Sequence, residues 1–343
     1  MYRQQFIYLD AETAYSTENY IYLFGRSINL LYRYNKKEKR VEILGQIPGR
    51  HIWERQLIGK ILYWNDKIIL APFFEKSIWL FDLKVEKWTE IQLLNFEKYI
   101  MKFYQGFIHN DIAHFVGCYY PAIIRLDLNT LQIEYDTKMY EELDKVRHSD
   151  IYFRTEYIRD ENNILLGCCS TNRVLQYNLD NYNYKFIELG NFEDDFEGIC
   201  HIQEKLVLFG RTNRKIYLYD KKLKIDSSQK IEKCHYVATV RKNGKYMLLS
   251  THYGKSLIWN DFDNYLLDEE NCIFCEKKDE ENYLYMTSKG KLIEVTQGKI
   301  EEYDCVIETE KFNNMFSNKN LFLVETPMYD LKFLLQRIYK ERV

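Results

Sequence analysis

Proline is scarce in this chain, with 4 in 343 residues, and glycine and cysteine number only 14 and 8. So little proline and glycine excludes collagen-like and low-complexity chains. So few cysteines exclude a disulfide scaffold, and in a reducing compartment they serve as small buried hydrophobes. Long apolar runs are also missing. The longest, 68–74, contains Pro72 and falls far short of the roughly 20 residues a membrane helix needs. The N-terminal stretch MYRQQFIYLDAE meets acid at Asp10 and Glu12, so no secretory leader is expected. Neither sign of charge is in excess: 48 basic and 51 acidic side chains leave a formal charge of −3. That balance argues against a dedicated nucleic-acid binder. Together these absences point to a soluble cytoplasmic protein. Abundant Lys, Ile, Asn and Tyr suggests a low-GC, bacterial genome.

Catalytic signatures are absent too. There is no His-Glu-x-x-His and no Gly-x-Ser-x-Gly. Gly254-Lys255-Ser256 resembles the end of a phosphate-binding loop, but Leu249 stands where that loop needs glycine. An apolar strand also follows where the loop needs a helix. No cofactor is implied.

What the chain does have is repetition. Tyr22-Leu-Phe-Gly-Arg26 and Val207-Leu-Phe-Gly-Arg211 each lead into an alternating apolar stretch and a polar turn. The same strand-turn-strand grammar begins near residues 20, 67, 112, 163, 205, 245, 283 and 320. The spacing, roughly 40 to 50 residues, is that of propeller blades. Second strands alternate clearly at 77–83, 122–128, 173–179, 215–221 and 256–262, and an Asp or Asn near each end starts a polar turn. A third short strand follows, as at 87–91 and 131–135, and a fourth precedes each unit, as at 60–63, 105–108, 152–158, 198–202 and 234–240. Four antiparallel strands per repeat predict an all-β propeller spanning 1–343 as a single domain. The count of units favours eight blades over seven. The segment 1–10 is expected to supply the outer strand missing from the unit at 320–339 and so complete the ring. Leu331, Leu334, Leu335 and Ile338 also fit helical spacing, which would favour seven.

Phe81-Asp82, five residues, then Trp88 resembles the aromatic-Asp-x5-Trp signature of kelch repeats. The kelch glycine doublet is reduced to single glycines at Gly25, Gly117, Gly167 and Gly210, and most units lack the Trp. The resemblance implies a kelch-like propeller and no particular activity.

Cys200, Cys234, Cys272 and Cys305 recur roughly every 35 residues, which places them at one position of successive innermost strands. Space narrows there, so small residues suit, and packing is the expected role. Zinc needs its ligands to converge on one point, which residues spread over adjacent blades do not do. Cys272-x-x-Cys275 and Cys168-Cys169 fall on strands, where such neighbours face apart, so no metal site is expected. Asp194-Asp195-Phe196-Glu197 is read as a solvated acidic loop.

Loops between second and third strands share one face of a propeller with loops entering the next blade. The first set carries Arg26, Lys76, Arg173, Arg211, Arg214, His252, Lys255 and Lys289. The second carries His51, Trp53, Arg55, Tyr99, His148, Asp150 and Asp195. Cations with aromatics suit a protein or peptide partner, or a polar anionic small ligand, because Arg grips carboxylates and aromatic rings offer contact area. The ligand-binding residues expected are Arg26, His51, Trp53, Tyr99, His148, Arg173, Arg211 and His252. A binding module is the leading reading, with neither nucleic acid nor membrane as partner. The alternative is a lyase or hydrolase acting on a sugar or modified peptide at the central channel. It would use His51, His148, His201, His235 or His252, with Asp150 or Glu197 as orienting carboxylate.

Overall fold

The computed structural model describes residues 6–308, apart from 95–101, 155, 170, 191–193, 195, 203–204, 211, 221–224, 231–235, 243, 251–255, 262–263, 269–271 and 288. A first strand, β1 (Phe6–Tyr8), precedes a series of four-stranded meanders. The first meander is β2 (Thr13–Ser16), β3 (Tyr20–Phe24), β4 (Leu31–Asn35) and β5 (Arg40–Gly45). The second is β6 (Ile58–Trp64), β7 (Lys67–Pro72), β8 (Ser77–Asp82) and β9 (Lys87–Gln92). The third is β10 (Phe103–His109), β11 (Ile112–Gly117), β12 (Ile123–Asp127) and β13 (Ile133–Asp136), followed by a short helix, α1 (Lys138–Leu143). Next come β14 (Ile158–Asp160), β15 (Asn163–Gly167), β16 (Arg173–Asn178) and β17 (Tyr184–Glu188). The fifth sheet is β18 (Phe196–Ile202), β19 (Lys205–Gly210), β20 (Lys215–Tyr219) and β21 (Ile225–Lys230). The sixth is β22 (Tyr236–Lys242), β23 (Lys245–Ser250), β24 (Ser256–Asp261) and β25 (Asn264–Asp268). The seventh is β26 (Cys272–Lys277), β27 (Asn282–Thr287), β28 (Lys291–Thr296) and β29 (Lys299–Asp304), and β30 (Val306–Glu308) follows.

Within each meander the strands pair antiparallel in chain order, giving seven four-stranded sheets among the described residues. This is the β-propeller the repeats predict, but the preference for eight blades is corrected. The eighth unit, 320–339, lies outside the described residues, as do Leu331, Leu334, Leu335 and Ile338. The expected pairing of 1–10 with that unit lies outside the described residues with it. β1 pairs with β30, Ile7 opposite Ile307, in a two-stranded sheet of its own. The innermost strand of the first sheet is instead β2, too short and polar to be picked out by its alternation. The fourth sheet's innermost strand lies at 158–160 and not at 152–158.

Turn chemistry sets the register. The hairpins β6–β7 and β10–β11 both turn on Asn-Asp, and Asn65, Asp66, Asn110 and Asp111 all have positive φ, between 45° and 58°. That is the tight turn whose twist matches the flanking strands. Between the second pair of strands, Asp82 Oδ1 accepts the amides of Lys84 and Val85, and Asp127 Oδ1 those of Asn129 and Thr130. Asn178 does the same for Asp180 and Asn181. This local capping is why Asp or Asn recurs at the end of these strands. Trp88 stands opposite Phe81 across β8 and β9, with ring centroids 4.8 Å apart. The aromatic-Asp-x5-Trp pattern is therefore one capped hairpin with a cross-strand aromatic pair.

Among the described residues each four-stranded sheet packs against a neighbour on both faces. Ile68 and Leu70 of β7 pack with the first sheet's Tyr22, Phe24 and Leu31, while Ile69 and Ala71 pack with the third sheet's Phe115 and Ile124. Likewise Leu206 and Leu208 face the fourth sheet, and Val207 and Phe209 the sixth. The sequence therefore runs apolar without alternation in these second strands. The seventh sheet packs on the first in the same way: Leu284, Met286 and Leu292 share a core with Ile21, Leu23 and Tyr32. Ile7 and Ile307 of the two-stranded sheet join that core.

Where innermost strands approach each other, side chains run out of room. A Cβ on Gly59 would lie 1.9 Å from the Phe103 carbonyl oxygen of the next sheet. Gly59→Ala should cost about 2 to 3 kcal/mol in urea unfolding, since backbone cannot yield as a side chain can. Gly49 has φ +71° and open space around it, so Gly49→Ala should cost only about 1 kcal/mol of backbone strain.

Candidate functional site at the channel mouth

The innermost strands share a distortion. Ile58 stands opposite Pro72 and Lys60 opposite Ala71, so Gly59 is an extra, unpaired residue. The same bulge leaves Tyr104 unpaired in β10, Glu197 in β18, Val237 in β22 and Ile273 in β26. Backbone bonds locate the equivalent residues of the other two sheets. Phe73 N donates to Leu57 O and Cys118 N to Lys102 O, two residues ahead of Gly59 and Tyr104. Cys169 N donates to Tyr152 O, two residues ahead of Arg154. In the first sheet Thr13 pairs with Phe24, as Lys60 pairs with Ala71, which puts Glu12 at the bulge position. One level of the propeller thus carries Glu12, Gly59, Tyr104, Arg154, Glu197, Val237 and Ile273 in ring order. Bulges re-aim side chains and gather beside functional sites.

This level lies where the innermost strands begin, the end that also holds the loops between second and third strands. The first loop residues Arg26, Phe73, Cys118 and Cys169 therefore border it. Arg26 Nε is 3.2 Å from Glu12 Oε2, and Arg154 Nη1 is 3.5 Å from Glu197 Oε1. Glu197 Oε2 accepts the Tyr236 amide at 3.2 Å. The Tyr104 ring packs 4.7 Å from that of Phe73, and Tyr104 and Tyr119 pack on buried Cys118, Cys169 and Ile151. Burial pushes the Glu12 carboxyl up to about 7, with Arg26 and Gln56 opposing the rise and Asp10 adding to it. Burial likewise holds the Tyr104 phenol protonated and pushes the Cys118 thiol up to about 12.

Below the mouth charged pairs link the innermost strands of different sheets. Lys60 is paired with Glu276, whose Oε1 accepts from Thr13 Oγ1 at 2.9 Å. Thr13 Oγ1 in turn accepts the Ile61 amide, so one hydroxyl ties the first, second and seventh sheets together. Lys277 Nζ meets Glu156 Oε1 at 2.6 Å and the Thr239 carbonyl at 3.0 Å. Gln105 Nε2 donates to the carbonyls of Arg154 and Glu156. Burial alone would lower the Lys277 pKa, yet Glu156 and its other neighbours hold it raised. Buried charges persist only when paired in this way.

The residues expected to bind ligand fare unequally. Arg26 borders the mouth. His51 N donates to Glu54 Oε1 and its Nδ1 accepts from Trp53 N, closing a local turn. Trp53 is half-buried against the core shared by the first and seventh sheets. His148 is exposed in the connection after α1. Arg173 is spent on Glu188 at 2.7 Å and lies over the Phe186 ring. Tyr99, Arg211 and His252 lie outside the described residues, as do Asp195, Cys234, His235 and Lys255. His201 is at the hairpin end of β18, opposite the loops carrying His51 and His148, so these three do not converge.

Two readings are corrected. Asp194 and Glu197 are buried, 1% and 3% exposed, and do not form a solvated loop. Asp194 accepts the amides of Thr212 and Asn213 and the Tyr217 hydroxyl. The cysteines do not share one position either. Cys200 is mid-strand in β18, Cys272 begins β26, and Cys305 follows the outermost strand β29, its carbonyl accepting from Leu9 N. All three are buried. Among the described residues no three His, Cys, Asp or Glu side chains are grouped to hold a metal.

Sequence reasoning passed over Lys60, Tyr104, Arg154, Glu156, Glu276 and Lys277. For Lys60, Tyr104, Glu276 and Lys277 the one sequence signal is a charged or polar residue inside a strand that no turn explains, while Arg154 and Glu156 stand ahead of β14 and carry no such signal.

The sequence matches no protein-family model and no curated protein. Solved structures do resemble the fold. Virginiamycin B lyase from Staphylococcus aureus is 12% identical, with TM-score 0.60, covering 85% of this chain and 98% of the lyase. A streptogramin B lyase structure is 10% identical, with TM-score 0.54, covering 88% and 93%. YCF48 bound to D1 peptide is 11% identical, with TM-score 0.57, covering 85% and 94%. Likeness at this identity shows the fold alone. These are propellers of other types, and nothing kelch-specific appears among them.

Two outcomes are expected from the site's charges. With its folded pKa raised, Glu12 holds its proton in the folded state and has lost it in the unfolded one between about pH 4.5 and 7. Its stabilising contribution is complete below that window and disappears as pH rises through 7. Urea midpoints measured at pH 5 and 8 should show Glu12→Gln flattening this decline. Lys277→Met should cost about 3 kcal/mol by stranding buried Glu156, and adding Glu156→Gln should recover part of it.

Proposed function

We propose that the protein is a binding module that takes a polar ligand or peptide at the channel mouth of its loop face. The observation that carries this reading is the bulge level itself. Four of its seven positions are polar, namely Glu12, Tyr104, Arg154 and Glu197, although the cores between the sheets beside them are apolar. A core built only for packing would avoid burying such groups. The charged pairs linking sheets beneath favour a ligand held at the mouth. Phe74, 39% exposed next to Phe73, offers aromatic surface on the same face. Fold likeness to a peptide-bound propeller, YCF48 with D1 peptide, is compatible with a peptide ligand. Cytoplasmic residence belongs to the same proposal.

A second reading has one observation in its favour. A carboxyl with its pKa near 7, as Glu12 has, suits a general acid or base, and two of the similar folds are lyases. The described histidines give it no support, since they do not converge.

Native mass spectrometry of the protein mixed with a pooled peptide digest and a metabolite extract tests the binding reading. Specific adducts should persist in Lys299→Ala, on the outermost strand β29, and fall at least tenfold in Arg154→Ala. Adducts equally retained by both variants would sink the mouth as the ligand site.

A further inference from the structure

Arg26 and Arg154 differ from Arg50 and Arg173 of the same face. Arg50 grips Glu75 through both Nε and Nη2, at 2.6 and 2.7 Å, and Arg173 is held by Glu188. The side chains of Arg26 and Arg154 make no hydrogen bond among the described residues. Each is instead steadied by one carboxylate, Glu12 at 3.2 Å and Glu197 at 3.5 Å. The carboxylates are the more buried partners, 12% and 4% exposed, whereas the arginine side chains are 30% and 25% exposed. A buried acid on one side and a partly open arginine on the other leave the planar donor fork available at the mouth. That fork matches a carboxylate in two parallel hydrogen bonds, which a lysine cannot do.

Resting on the reading of the mouth as the ligand site, we propose that it is a carboxylate site in which Arg154 grips the carboxylate of a ligand entering end-on. Arg26 adds positive field from the first sheet, and the Tyr104 hydroxyl is a further donor. Entry is end-on because the Lys60–Glu276 and Lys277–Glu156 pairs bridge sheets across the path below, which suits a terminal group better than a through-running chain. Phe74, backed by buried Phe73, and Tyr119 supply apolar walls for whatever carries the carboxylate. Glu12 is compatible with an anion when protonated. It faces Arg26, Asp10 and Gln56, with Tyr104 nearby on the ring, and burial pushes its carboxyl up to about 7.

N-benzoylglycine is the first probe, read by the side-chain Nε–H NMR signals of Arg26 and Arg154, assigned through Arg26→Lys and Arg154→Lys. The Arg154 signal should move saturably, and Arg154→Gln should weaken binding at least tenfold. N-benzoylglycinamide, the same shape without the charge, should move neither signal. Affinity should fall about tenfold per pH unit above 7, and Glu12→Gln should abolish that slope. If the amide binds as well as the acid and Arg154→Gln weakens both, the mouth remains a ligand site but the carboxylate proposal is overturned. If both compounds bind and Arg154→Gln changes neither, or if neither compound moves a mouth signal, the carboxylate proposal and the mouth reading fall together. Short peptides with free C-termini compared with succinate then assign the source. Tighter binding by the peptides means a chain terminus, and tighter binding by succinate a small free acid; either supports the carboxylate.

Discussion

Among the described residues each four-stranded sheet packs against a neighbour on both faces, and that constraint governs the rest. Alternate residues of one strand feed two different cores, as Ile68 and Leu70 do on one side and Ile69 and Ala71 on the other. The middle strands of these sheets leave little face on which polar groups could meet water. Polarity is driven to the outer strands, the turns and the axis. At the axis seven strands converge, so the polar groups there are short of both space and solvent. They persist because they pair across sheets: Thr13 and Lys60 with Glu276, Glu156 with Lys277, Glu197 with the Tyr236 amide. The same bonds that satisfy buried charge fix how the sheets meet at the centre.

That arrangement was partly legible in sequence. Strand-turn-strand units could be read because the turns obey local chemistry, with Asp82, Asp127 and Asn178 each capping the hairpin they begin. Innermost strands were harder. β2 has four residues and β14 three, too few for a period to show. The segment 152–158 looked like a strand because Tyr152 and Phe153 are apolar, but they pack with Tyr140 and Met139 of α1 ahead of the ladder. The partner of the N-terminal strand was hidden for a different reason. Pattern shows that Phe6-Ile7-Tyr8 suits a strand and cannot show that its partner is Val306-Ile307-Glu308.

The mouth was only partly legible: Arg26 and Glu197 could be singled out, but not the level they share. Glu12, Tyr104 and Glu197 each stand 23 residues before the turn residue at the end of the third strand of their sheet, Asn35, Asp127 and Asp220, whereas Arg154 stands 24 before Asn178. Spacing therefore brings three of the four into step, but it cannot show that their position is an unpaired bulge. The cysteine series shows the converse error: regular spacing suggested one position, yet Cys200, Cys272 and Cys305 sit in three different settings. Loop cations misled in a third way. Turn residues are charged, but charge on a turn is commonly used locally, as His51, Arg50 and Arg173 show.

A propeller separates what holds it together from what it can recognise. The cores between sheets need only apolar volume, which many sequences supply, and propellers at 10–12% identity share this chain's fold. The bulge level is free of that demand but not of crowding: Gly59 has no room for a side chain beside the Phe103 carbonyl, whereas Glu12, Tyr104, Arg154 and Glu197 are accommodated. In this chain that freedom is used unevenly. Val237 on the sixth sheet is buried in the ordinary packing between sheets, and Ile273 on the seventh packs partly against the core it shares with the first. The polar residues fall on the first, third, fourth and fifth sheets. An asymmetric mouth on a repeating scaffold can orient a ligand, which a ring of identical residues cannot do. Recognition here therefore depends on which sheet carries each side chain, and the repeat that makes the fold readable shows only part of the site.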